Sequence, residues 1–122
     1  MVLHSRHPYP RHVRVAAQLQ REIAQWLMLH AEPPLNTDVT ITRVEVAKDL
    51  SHADVFFLGH EHESADELEL LLDQIRPEIQ RVLGAELRMK RVPRLQFRWD
   101  RQYEHAAQVE RILFELNQTD NS

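Results

Sequence analysis

The spacing of apolar residues changes character four times along this chain, and each change marks a new element. From Val13 onward, Ala16, Leu19, Ile23 and Leu27 recur at intervals of three and four with Trp26 beside them, which predicts an amphipathic helix. Pro33 and Pro34 end it, because proline has no N–H and crowds the turn before it. Val39 and Ile41 then alternate, and Val44 and Val46 continue one step out of phase across Arg43, which reads as a strand with a β-bulge. Lys48, Asp49, Leu50 and Ser51 supply a polar turn. Residues 54–60 are apolar on both faces, as expected of the central strand of a hairpin.

Ser64 and Glu67 have the spacing of a capping box, and Leu68, Leu71, Leu72, Ile75, Ile79 and Val82 follow at helical spacing. Pro77 interrupts this stripe without shifting its phase, so it either kinks one helix or opens a second. Gly84 stands where a left-handed residue can end the helix. Between Arg94 and Trp99 the alternation is strict, with Leu95, Phe97 and Trp99 on one face and Arg94, Gln96 and Arg98 on the other. Pro93 places that segment at a strand start or a sheet edge. Asp100 is positioned to cap a last helix, whose Ala106, Val109, Ile112, Leu113 and Leu116 are expected to face inward. The order is α–β–β–α–kink–α–β–α, an α+β domain with a small sheet and its helices on one face. Residues 1–12 read as a flexible basic tail, 13–117 as one domain and 118–122 as a frayed end.

Composition narrows the function classes. Of 122 residues 43% are hydrophobic and 28% charged, which excludes a wholly disordered chain. The absence of cysteine excludes disulfides, thiolate metal sites and cysteine nucleophiles. No apolar run approaches the ~18–20 residues of a membrane helix, and the first twelve residues lack the hydrophobic centre of a secretory leader. A soluble cytoplasmic protein is expected. Ser5, Ser51, Ser64 and Ser122 sit in no nucleophile elbow, and two glycines cannot build a phosphate loop, so neither catalysis nor a cofactor is expected. A monomer is the default, because every long apolar stripe has been assigned inward.

Histidine and charge carry the remaining chemistry. His60 and His62 would share one side of a continuing strand, with His52 across the hairpin as a third metal ligand, but two ligands are weak evidence and a polar loop is the favoured reading. The net charge of −4 divides into +3 over residues 1–30, −9 over 31–75, +5 over 76–101 and −3 over 102–122. Arg76, Arg81, Arg88, Lys90, Arg91, Arg94, Arg98 and Arg101 crowd the third quarter. Guanidinium groups match phosphate geometry, so this cluster either tracks a nucleic-acid backbone or is a solvated face paired with acids such as Glu67, Glu69 and Asp73.

Four segments in order give the chain a resemblance to a known family: the helix from Arg14 to Ala24, Glu32-Pro33-Pro34-Leu35, the hairpin at residues 39–55, and residues 87–100 with Val92, Pro93, Leu95, Phe97 and Asp100. Together they resemble ribosome-binding factor A, a bacterial assembly factor of the small ribosomal subunit, over about residues 11–115. The resemblance implies a type II KH-like domain, αββααβ with a kinked crossover helix and a mixed three-stranded sheet, here with an extra C-terminal helix. Where the family has an Ala-x-Gly kink, this chain has Ile75, Arg76 and Pro77. The resemblance further implies a non-enzymatic factor that binds free or immature 30S subunits, supports late maturation and processing of their rRNA, is linked to cold adaptation, and has an assembly GTPase as releasing partner. The residues expected to meet RNA are Arg11, Arg14, Arg21, Arg76, Arg81, Arg88, Lys90, Arg91 and Arg94. The competing expectation is a protein-interaction module using the acidic hairpin and helix face.

Overall fold

The computed structural model describes residues 8–60 and 64–120. Seven elements follow in order: α1 (Arg11–His30), a short α2 (Leu35–Asp38), β1 (Val39–Val46), β2 (His52–Gly59), α3 (Ala65–Leu87), β3 (Arg94–Trp99) and α4 (Arg101–Asp120). The sheet order is β1-β2-β3. β1 pairs antiparallel with β2, and β2 pairs parallel with β3, so α3 is the crossover that a parallel pair requires. β2 is central and β3 lies at an edge directly after the buried Pro93, both as the sequence predicts. The pairing register slips between Ile41 and Arg43, where the hydrophobic phase slips. The chain is α+β with a mixed three-stranded sheet.

One face of the sheet carries the core. Val15, Leu19, Ile23 and Leu27 of α1, each four residues apart, and Leu68, Leu72, Ile79 and Leu83 of α3 are buried with Val55, Phe57, Leu95 and Phe97 of the sheet. Phe57 is fully buried and meets Trp99 edge-on, ring centroids 5.5 Å apart. The opposite face is open and polar, with Arg98 on Asp54 at 3.0 Å and the Arg43 guanidinium 3.7 Å over the Phe56 ring.

Helix boundaries follow local chemistry. Pro10 caps α1 with φ already at −59°, its carbonyl accepting from the N–H groups of Val13 and Arg14, so the helix starts at Arg11, two residues before the apolar period begins. The Ser64 hydroxyl accepts from the Glu67 N–H at 3.1 Å and starts α3. The crossover is one helix with Pro77 inside it, not two. Gly84 does not end α3: the left-handed residue is Arg88, at φ 51°. Gly84 therefore spends helical stability without using its conformational freedom. A Cβ there would meet Val92 Cγ2 at an ordinary 3.8 Å, whereas a Cβ on Gly59 would run into Leu68 Cδ1. Gly84→Ala should stabilise the domain by about 0.5–1 kcal/mol, read as a raised urea midpoint at unchanged slope.

The last helix corrects the sequence reading. Ala106, Val109, Ile112, Leu113 and Leu116 do not face inward; α4 is exposed from Arg101 through Thr119. The physical reason lies in the sheet. Its inner face is already filled by α1 and α3, and its outer face carries ion pairs and the Arg43–Phe56 stack, so α4 is seated on neither.

Candidate nucleic-acid interface

Two of the expected contact residues meet in one place. Arg94 opens β3 and His52 opens β2, and the parallel register sets them side by side. Arg76 reaches the same point from the flank of α3, so His52, Arg76 and Arg94 line a recess of about 270 Å³ together with Asp73 and Gln96. Asp73 holds the Arg76 guanidinium at 3.2 Å, an i,i+3 pair on the helix surface. Such an exposed pair is worth little and can be exchanged for a phosphate, which accepts from the same nitrogens. Asp73 also lines the neighbouring recess with Asp66 and Glu69, so the switch from acidic to basic sequence at residues 75/76 is a boundary on one molecular face.

A polar side chain that the sequence reading did not single out positions this end of the molecule. Gln80, part-buried on α3, donates to the Pro93 carbonyl at 2.6 Å and accepts from the Leu95 N–H at 3.1 Å. It ties the basic loop to the helix, and Arg88, Lys90 and Arg91 are exposed on that loop. Its only sequence signal is a glutamine beside Ile79 on the edge of an apolar stripe.

The remaining expected residues do not join the recess. Arg81 follows Arg76 by five positions, which on a helix turns it by about 140° onto the outer surface. Arg11, Arg14 and Arg21 are exposed on α1, with Arg14 and Arg21 on one stripe because seven residues make nearly two turns. The depression between α1 and α3, about 210 Å³, is lined by Trp26, Leu29, Val82, Glu22 and Glu86. Its carboxylates repel phosphate.

The structure removes His52 from the metal alternative. His52 begins β2 and His60 follows its other end, eight residues or roughly 26 Å away at strand rise, so the two cannot share an ion. His60 instead bonds the Thr40 hydroxyl with its ring and the Asp38 carbonyl with its N–H. His62 lies outside the described residues, and among those described no group of three ligating side chains gathers.

Asp100 has a second partner set besides its cap. It is 1% exposed and accepts from the Thr42 hydroxyl, from Arg43 Nε at 3.1 Å and from the Tyr103 N–H at 3.0 Å, so one carboxylate joins the β1 bulge to the start of α4. Burial is the largest influence on its pKa and pushes it up. The hydrogen bonds from Thr42, Tyr103 and Arg43, with the Arg43 charge, together outweigh burial and hold the carboxyl below its usual value.

The family model described as ribosome-binding factor A matches residues 11–113. Ribosome-binding factor A of Thioalkalivibrio sulfidiphilus is 36% identical over 107 residues, 86% of this chain and 82% of that protein. That of Syntrophobacter fumaroxidans is 34% identical over 115 residues, 92% of this chain and 98% of its own length. Among solved structures, the crystal structure of ribosome-binding factor A from Thermus thermophilus superposes with a TM-score of 0.62 at 27% identity, covering 70% of this chain and 92% of that one. A homology model of the Thermus thermophilus factor fitted into a cryo-EM map of its complex with the 30S subunit superposes at 0.56 and 27% identity, over 68% of this chain and 89% of that one.

Proposed function

This chain belongs to the ribosome-binding factor A family, and from that premise we propose that it is a ribosome-binding factor acting on the small subunit. It binds free or immature 30S subunits without enzymatic chemistry and supports late maturation and processing of their rRNA, in the cytoplasm and with most effect in the cold. An assembly GTPase is the releasing partner that fits this role. The observation that carries the reading is the family match over residues 11–113, which spans every basic residue from Arg11 to Arg94. Among the described residues no helix is long and apolar enough to cross a membrane.

The mechanism is phosphate neutralisation on a rigid frame. The recess of Arg76, Arg94 and His52 lies beside the middle of α3 and the loop cations Arg88, Lys90 and Arg91 lie beyond its C-terminal end, with the start of β3 between them fixed by Gln80 and by the β2–β3 register. A-form RNA hides its base edges in a deep major groove, so recognition rests on backbone shape. Pro77 lies inside α3; by the resemblance it takes the place of a small residue of the family's kink, and a KH-style close approach of backbone to backbone gives way here to longer-range contact by arginine.

Sedimentation through sucrose gradients tests the role. The chain should travel with free small subunits and their precursors, not with whole ribosomes, and should return to the top at high salt. Migration that survives high salt and RNase would support the acidic hairpin and helix face as a protein-binding surface instead.

A further inference from the structure

We infer that α4 is a self-association surface and that a second copy of this chain covers its apolar stripe. Tyr103, Val109, Ile112, Leu113, Phe114 and Leu116 are between 40 and 61% exposed on a single 20-residue helix. Ala106, Val109, Leu113 and Leu116 recur at three, four and three, the spacing of a two-helix seam, with Ile112 on one side of it and Tyr103 and Phe114 on the other. A helix of this length with an uncovered apolar face is marginal in water, and its stability comes from what packs on that face. Asp100 caps its first turn to the sheet, so the helix leaves the domain in a fixed direction.

Charge and shape identify the occupant. Between Arg101 and Thr119 the helix carries Arg101 and Arg111 against Glu104, Glu110 and Glu115, a balance unsuited to phosphate. The groove between α1 and α3 is rimmed by Glu22 and Glu86 and repels a helix of this sign. The seam is complementary to itself. Antiparallel pairing about the level of Arg111 sets Ala106 against Leu116 of the second copy and Val109 against its Leu113, small against large, and the same contacts recur by two-fold symmetry. Closing two such stripes removes on the order of 1,000 Å² from water, where specific interfaces begin. The monomer expected from the sequence rested on these side chains facing inward, and they do not. Nothing in this inference depends on the ribosomal role.

Sedimentation velocity and light scattering on the full chain, from micromolar to hundreds of micromolar, test it. The mass should rise with concentration from 14.5 kDa toward twice that value. The double variant Leu113→Glu, Leu116→Glu should remain monomeric throughout with an unchanged melting curve for the domain, since neither side chain touches the core. Because the chain has no cysteine, an equimolar mixture of Val109→Cys and Leu113→Cys chains should form the mixed inter-chain disulfide under mild oxidation, and Arg111→Cys, on the far side of the helix, should form none. A chain that stays monomeric at all concentrations, or a dimer indifferent to the double glutamate variant, overturns the inference. A monomer whose glutamate variant instead leaves the small subunit would assign the stripe to a ribosomal surface, which also overturns it.

Discussion

Asp100→Ala should lower the unfolding free energy by about 3 kcal/mol, the low end for removing one member of a buried charged pair. At ~120 residues that is a fall in Tm of roughly 12 °C. Three losses combine. The Thr42 hydroxyl and the Arg43 guanidinium lose their acceptor, and the first turn of α4 loses its cap. Arg43 is one-third exposed and keeps Glu45, so water relieves part of the cost and the low end applies. Thr42→Val, which removes a single hydrogen bond, should cost about 1 kcal/mol. The pH dependence has a definite sign. A carboxyl whose folded pKa lies below its usual 3.8 contributes its full stability above that value and loses it as the pH falls through the folded pKa. Asp100→Asn should therefore be less stable at neutral pH, with a shallower decline in acid. If wild type and Asp100→Asn decline in parallel below pH 4, the carboxylate is not holding the bulge.

How much of this was legible beforehand depended on the range of the interaction. The β-bulge at Arg43 could be read because it leaves its mark in the phase of four neighbouring residues. The cap at Asp100 could be read for the same reason, since its acceptor role spans three residues. Its other role could not: Thr42 and Arg43 stand 58 and 57 residues away, and no local pattern joins them. α4 shows a different limit. Amphipathicity states that a face is apolar, not what covers it, and the assumption that the sheet would do so failed once two helices had filled its inner face. Gly84 attracted the helix end because glycine so often supplies a left-handed residue, yet here Arg88 does, four residues later. The basic cluster was visible as composition. Its division into a recess at Arg76 and Arg94 and an outward Arg81 needed helix geometry and the docking of α3 on β3 together.

Exchanging Arg76 and Arg94 together for alanine should weaken small-subunit binding by roughly 100-fold at fixed moderate salt. Each charge-assisted contact to a phosphate is worth about 1.5 kcal/mol or more, close to tenfold in affinity. The salt dependence carries the sharper signature. Each lost phosphate contact removes a slope of ~0.7–0.9 in log affinity against log salt, so the pair should flatten it by ~1.4–1.8. The domain itself should melt as before within about 0.5 kcal/mol, because neither guanidinium belongs to the core. Asp73 supplies a change of opposite sign. It holds the Arg76 guanidinium at 3.2 Å and sits in the same recess, so it competes with phosphate for the same nitrogens and repels the backbone. Asp73→Asn should tighten binding and steepen the salt slope. Repulsion by a carboxylate and attraction by a guanidinium act through one field, so the two effects must appear together if RNA lies over this recess. An unchanged slope in the double arginine variant, with a flattened one in Arg11→Ala, Arg14→Ala and Arg21→Ala, would move the interface to the exposed face of α1 and leave the recess as a solvated ion pair.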